Sequence, residues 1–131
     1  MKRPDQRKFD ITRRGEIYVI RFAQEWILDD AKTFFAAYKE TVKRDRLKKF
    51  GVLSDMRLLL LGTPEAVEFF QGIGDWAQRN GQVGRAQLLS TGYEEFLVQR
   101  IDTTKNRFPA RSFETEDEAL AWLTSLGLSV S

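Results

Sequence analysis

Apolar and polar residues alternate along this chain with two different periods, and the alternation sorts it into strands and helices. Phe9 to Arg13 and Glu16 to Phe22 read as two strands around a turn at Arg14-Gly15. In the second, Ile17 and Val19 alternate with Tyr18, Ile20 and Phe22, so both of its faces are apolar for most of its length, as in a central strand covered on both sides. Asp29-Asp30 then opens a helix with carboxylates at its positive end, and Ala31, Phe34/Phe35, Tyr38 and Val42 form its apolar stripe. Phe50 to Asp55 reads as the next strand, short and then abruptly polar. Thr63-Pro64 starts a second helix, with a hydroxyl at the cap and proline in the first turn; its stripe is Ala66, Phe69/Phe70, Ile73 and Trp76/Ala77. Gly72 and Gly74 weaken that helix by about 1 kcal/mol each relative to alanine; close packing against the sheet is the expected reason for them, with a kink as the alternative.

The second half repeats the alternation. Ala86 to Leu89 reads as a fourth strand, Tyr93, Phe96/Leu97 and Arg100/Ile101 mark a third helix, and Ala110 to Phe113 reads as a fifth strand. Thr115-Glu116-Asp117-Glu118 has the form of a capping box, threonine at the cap and glutamate three residues on. Ala119, Trp122/Leu123 and Leu126 give the stripe of a last helix, closed at Gly127-Leu128. The order ββαβαβαβα implies an α/β sandwich built on a five-stranded mixed, mostly parallel sheet with helices on both faces.

At 131 residues the chain fits a single domain, residues 1–131, with residues 1–8 expected as a flexible basic tail. It contains neither cysteine nor histidine. That excludes disulfides, thiolate nucleophiles, histidine-based triads and the commonest zinc, copper and iron ligands. Residues 1–14 hold six basic and two acidic side chains, as do residues 39–49, so the net charge of +2 conceals a chain that is acidic elsewhere. A nucleic-acid binder would carry a broader basic face, so no nucleic-acid partner is expected. The second basic segment reads as a helix end complementing its own dipole, with a small-anion or membrane-surface patch as the alternative. No stretch is apolar enough for a membrane span and no apolar segment follows the basic N-terminus, so a cytoplasmic location is expected.

Leu58, Leu59, Leu60 and Leu61 stand between a strand and a helix cap, where four consecutive leucines cannot all face one core from a loop. They either lengthen the following helix, plug the end of the sheet, or form an exposed apolar lip for a dimer, a partner or a lipophilic ligand. Enzyme chemistry would have to come from carboxylates such as Asp55, Glu65 and Glu68, and none is paired with a nucleophile. No glycine-rich phosphate loop follows a strand, so no enzymatic activity, cofactor or metal is expected.

In Gly51-Val52-Leu53-Ser54-Asp55-Met56-Arg57, in Gly84-Arg85-Ala86-Gln87-Leu88-Leu89-Ser90, and in Arg111-Ser112-Phe113 with Glu118-Ala119-Leu120-Ala121-Trp122-Leu123, the chain resembles the SpoIIAA-like or STAS family. That family includes bacterial anti-sigma-factor antagonists and small SpoIIAA-like proteins of uncharacterised role. The resemblance implies a sheet in the order 1-3-2-4-5, with only the first strand antiparallel and two helices on each face. In that order a ligand crevice would open at the switch between strands two and four, lined here by Ala23 and Gln24, by Glu25 and Trp26, and by Ser90, Thr91, Gly92 and Tyr93. Ser90-Thr91-Gly92 would cap the third helix or cradle an anion.

In the antagonists a serine at the start of the helix after strand three, in a Ser-Ser-Gly-like loop, is phosphorylated by a partner kinase and switches binding. Here Asp55 is present, the loop lacks Ser-Ser-Gly, and only Thr63 offers a hydroxyl, which its role as a helix cap already accounts for. The resemblance therefore implies a non-enzymatic regulatory or protein-interaction module. Its surface would run through Asp55, Arg57, Leu58, Leu59, Leu60, Leu61 and Thr63, and would engage a protein partner or a second copy in a homodimer. A carrier for a small lipophilic ligand, like the lipid-binding CRAL-TRIO domains, is the alternative.

Overall fold

The computed structural model describes residues 8–61, 63–89 and 108–130. Strand β1 (Phe9–Arg14) and strand β2 (Ile17–Trp26) form a hairpin, followed by helix α1 (Leu28–Asp45), strand β3 (Phe50–Leu61), helix α2 (Pro64–Arg79) and strand β4 (Gln82–Leu88). Strand β5 (Ala110–Phe113) and helix α3 (Glu116–Ser125) complete the described elements. The helix expected around Tyr93 to Ile101 lies outside the described residues.

The five strands lie in the order β1-β2-β3-β4-β5, with β1 antiparallel to β2 and the other neighbours parallel. This corrects the expected order 1-3-2-4-5. The reason is local: Arg14 pairs with Ile17 across a two-residue turn at Gly15-Glu16, so β1 lies directly against β2 and no strand fits between them. Gly15 adopts φ +61°, a conformation that glycine reaches without steric cost. Because β2, β3 and β4 follow one another across the sheet, the described strands have no switch point between strands two and four, where the ligand crevice was expected.

Two apolar layers hold the sheet. On one face Tyr18, Ile20, Phe22 and Trp26 of β2 and Val52, Met56 and Leu59 of β3 pack against Phe34 and Tyr38 of α1 and Phe70 and Ile73 of α2. On the other, Ile17, Val19, Leu53, Ala86 and Leu88 pack against Ala119, Leu120 and Leu123 of α3. The double-sided pattern of β2 thus covers both faces, up to Arg21, which is exposed. Lys8, expected in the flexible tail, is instead held: its Nζ donates to the Asp30 carboxylate at 2.9 Å and to the Glu25 carbonyl at 3.0 Å. Among the described residues no helix is long and apolar enough to cross a membrane.

The glycines of α2 differ from expectation. A Cβ built at Gly72 would meet nothing within 4 Å, so close packing does not account for that residue, whereas Gly74 is buried. By contrast, Gly51 and Gly84 on the sheet lie under α3 and the chain that follows it, where a Cβ would come within 2.5 Å of Leu128 and 2.4 Å of Leu126 respectively.

Candidate functional site

The leucine run lengthens neither the following helix nor a loop; it lengthens β3. Ala23, Gln24, Glu25 and Trp26 of β2 pair in parallel with Leu58, Leu59, Leu60 and Leu61, so the strand expected to stop at Asp55 runs on to Leu61. Between the Arg21–Asp55 and Ala23–Leu58 pairs, β3 carries one residue more than β2, and this bulge shifts the side-chain alternation by one position. Met56 and Leu59, three apart, therefore both enter the core beneath α1 and α2. Leu59 is 2% exposed, while its neighbours Leu58 and Leu60 are 72% and 52% exposed.

Asp55 sits just before the bulge, buried, and is gripped by arginines. Arg57 Nε donates to Oδ1 at 2.9 Å and Nη2 to Oδ2 at 2.7 Å, and the Arg57 backbone N–H donates to Oδ1 at 3.3 Å. Arg21 Nη1 donates to Asp55 Oδ2 at 3.2 Å and its Nη2 to Glu116, in the first turn of α3, at 3.3 Å. Burial of Asp55 works against its charge, but the hydrogen bonds and charges of Arg57, then Arg21, together outweigh it and hold the carboxyl below the usual carboxylate range. A carboxylate so engaged takes up no proton near neutral pH, which makes it a clamp between strands and helix α3 rather than a general base.

Thr63 stands at the N-cap of α2, its Oγ1 accepting from the Ala66 N–H at 3.3 Å. Six strand residues, Met56 to Leu61, separate it from Asp55, a run of about 20 Å at ~3.3 Å per residue. The stretch after Asp55, expected as a loop, is therefore strand as far as Leu61. Of the crevice residues, Trp26 turns into the core with no exposure, its Nε1 donating to the Ala23 carbonyl at 2.8 Å, and Glu25 is exposed. Ser90, Thr91, Gly92 and Tyr93 lie outside the described residues. Lys43 and Arg44, from the second basic segment, fall in the last turn of α1, where cations complement the helix dipole.

Sequence reading missed Arg21 and Glu116, which complete the clamp, and a second polar group on the α1/α2 face. There Ser54, Arg85 and Gln87 border a cavity of about 60 Å3 together with Tyr38 and apolar side chains. The signal was present: Arg85 and Gln87 alternate in a strand whose other face carries Gly84, Ala86 and Leu88. The cavity is several-fold smaller than the ~300–1,000 Å3 of drug-sized ligand pockets.

No protein-family model matches the chain, and no curated protein matches it. Solved structures do. The chain is similar to an uncharacterized protein of the DUF3478 family with a SpoIIAA-like fold from Shewanella loihica, with TM-score 0.68 and 14% identity over 88% of this chain and 91% of that one. It is similar to the anti-sigma factor antagonist SpoIIAA in its unphosphorylated form, with TM-score 0.66 and 14% identity over 89% and 96% of the two chains. An anti-sigma factor antagonist from Mycobacterium paratuberculosis gives TM-score 0.60 and 17% identity over 95% and 99%. The chain has the SpoIIAA-like α/β fold.

Proposed function

We propose that this chain is a regulatory protein-interaction module, not an enzyme, and that it engages its partner through the exposed end of β3. The observation that carries this reading is the alternation along one strand: Leu59 is spent on the core while Leu58 and Leu60 project into solvent. Exposed leucines on a strand already paired with its neighbour supply apolar contact area with little backbone left to order. The Asp55 clamp holds Arg21 and Arg57, each with more than 40% of its side chain exposed, at the margin of that patch. An apolar centre with arginine beside it matches the composition of protein interfaces. Structural similarity to anti-sigma factor antagonists supports the same class of role.

Photocrosslinking in cells, from a photoreactive residue at position 60, tests the proposal. A discrete adduct is expected, at twice the chain mass for a homodimer or at another mass for a protein partner. A control residue at the exposed Glu40 position on α1 should give none. Equal adduct yields from positions 60 and 40 would overturn it.

A further inference from the structure

Helix α2 carries a glycine that packing within the chain does not explain. Gly72 is exposed in the middle of the helix, where glycine is less favourable than alanine, and a Cβ there would meet nothing within 4 Å. On an exposed helix face a glycine lets a second helix approach closely, because the distance between axes is set by the side chains at the crossing. The groove that Gly72 borders is aromatic. Phe69 and Trp76 of α2 and Phe35 of α1 line it, each only partly buried, with the Phe35 ring edge-on to Phe69 at 5.8 Å and to Trp76 at 5.5 Å between centres.

The charges on α2 are placed symmetrically about the glycine. Glu65 lies seven residues before it and Arg79 seven residues after it, and both are exposed. Seven residues are close to two turns, so the three positions share a face, with each charge ~10 Å from Gly72 along the axis. The helix dipole accounts for the sign at each end but not for the equal spacing. An identical helix laid antiparallel across Gly72 would set Glu65 against Arg79 of the second copy, and Arg79 against its Glu65. Glu68 and Asp75, the other exposed acids of the helix, would then lie opposite Trp76 and Phe69, so no like charges meet along the helix pair. Glu68 beside Glu65 keeps that end acidic although Lys32 of α1 also borders the groove.

We infer that α2 is the contact of a two-fold symmetric homodimer, crossing its copy antiparallel at Gly72, with Phe35, Phe69 and Trp76 covered on both sides and a Glu65–Arg79 pair at each end. A two-fold contact is isologous, so a single surface must complement itself, and this one does so in charge with a glycine at its centre. A different protein would require no such symmetry. The contact is centred on α2; Glu40, five residues beyond Phe35 and so ~140° around α1, lies outside it. This inference goes beyond the interaction surface at β3 and stands independently of it, since Leu58 and Leu60 take no part in the crossing.

Sedimentation velocity of the full chain tests it, with a dimer expected at ~100 μM. Glu65→Lys and Arg79→Glu each set like charges opposite one another at both ends and should each weaken self-association ~10-fold. An equal mixture of the two variants restores both opposite-charge pairs and should form a heterodimer about as tightly as the parent forms its homodimer. Gly72→Leu, which adds a bulky side chain at the crossing but fills open space within the chain, should keep the fold by circular dichroism and sediment as a monomer. A monomeric parent at this concentration would overturn the inference, as would single variants that dimerise like the parent or a mixture that associates no better than either variant alone. A dimer lost in the double variant Leu58→Ala, Leu60→Ala and kept in Gly72→Leu would overturn it too, by moving self-association to β3, and would leave the reading of that strand as an interaction surface standing.

Discussion

Arg57 reaches back to Asp55, two positions earlier in the same strand, and closes a two-pronged hydrogen bond on its carboxylate with contacts of 2.7 and 2.9 Å. The pair forms at the bulge that follows Asp55, where the regular alternation of β3 is interrupted. Arg21 on the neighbouring strand then links the same carboxylate to α3 through Glu116. Because both arginines keep more than 40% of their side chains exposed, solvent screens the pairs and their contribution is modest. Asp55→Asn should cost about 1–2 kcal/mol at pH 7. The folded-state pKa of Asp55 is depressed, so its contribution is fully present above the unfolded value near ~3.9 and is lost as the pH falls through the folded value. Urea denaturation of the two proteins should accordingly give a stability gap that is constant from pH 7 to about pH 5 and closes in more acidic solution. A gap independent of pH would show that the carboxylate charge does not act through this clamp.

Helices α1 and α2 were legible because their apolar stripes repeat at helical spacing and bury as such: Ala31, Phe34, Tyr38 and Val42 in α1, and Ala66, Phe70, Ile73 and Ala77 in α2. Strand order was not legible, since alternation says which residues share a face and nothing about which strand lies beside which. The turn at Gly15 held the missing information, because so tight a hairpin forces adjacent pairing. The end of β3 was missed for a different reason. A bulge resets the period of two, and Asp55-Met56-Arg57 with the bulge read as the end of a strand when it is an interruption within one. The clamp joins positions 21, 55 and 116, and only the folded sheet brings them together.

The opposed fates of neighbouring leucines give a sharp stability contrast. Leu59→Ala removes a buried side chain from the core beneath α1 and α2 and should cost about 2–4 kcal/mol. The double variant Leu58→Ala, Leu60→Ala alters two exposed side chains and should change stability by no more than about 0.5 kcal/mol for each. Chemical denaturation measures both. Sedimentation of the double variant beside the parent then reports association without interference from unfolding. A destabilisation of the double variant as large as that of Leu59→Ala would mean that Leu58 and Leu60 are covered in solution.

Two glycines should respond to alanine with opposite signs. At Gly72, mid-helix and exposed, a methyl group meets nothing within 4 Å, so Gly72→Ala should stabilise the chain by about 1 kcal/mol, or roughly 3–5 °C in Tm. At Gly15, φ is +61° and a Cβ would lie 2.6 Å from the Ser129 carbonyl oxygen. Both the left-handed backbone and the clash with main chain oppose Gly15→Ala, which should cost about 1–3 kcal/mol and loosen the contact between the hairpin turn and residues 129–130. Thermal melts of the two single variants suffice to check the signs.

Thr63 separates the capping role from a phosphorylation switch. Its hydroxyl accepts from Ala66 N–H at the start of α2, and that bond explains a threonine followed by proline without any modification. Thr63→Ala should therefore lower stability by about 1 kcal/mol, whereas Thr63→Asp, an equally good cap that adds charge at the positive helix end, should stay within about 0.5 kcal/mol of the parent. In an antagonist-type switch a negative charge at this position would release the partner. With ~20 Å of strand between Thr63 and Asp55, and with Leu58 and Leu60 as the proposed contact, both variants should retain the adduct formed from position 60. Loss of that adduct in Thr63→Asp, with Thr63→Ala retaining it, would instead establish that the cap carries the regulatory charge.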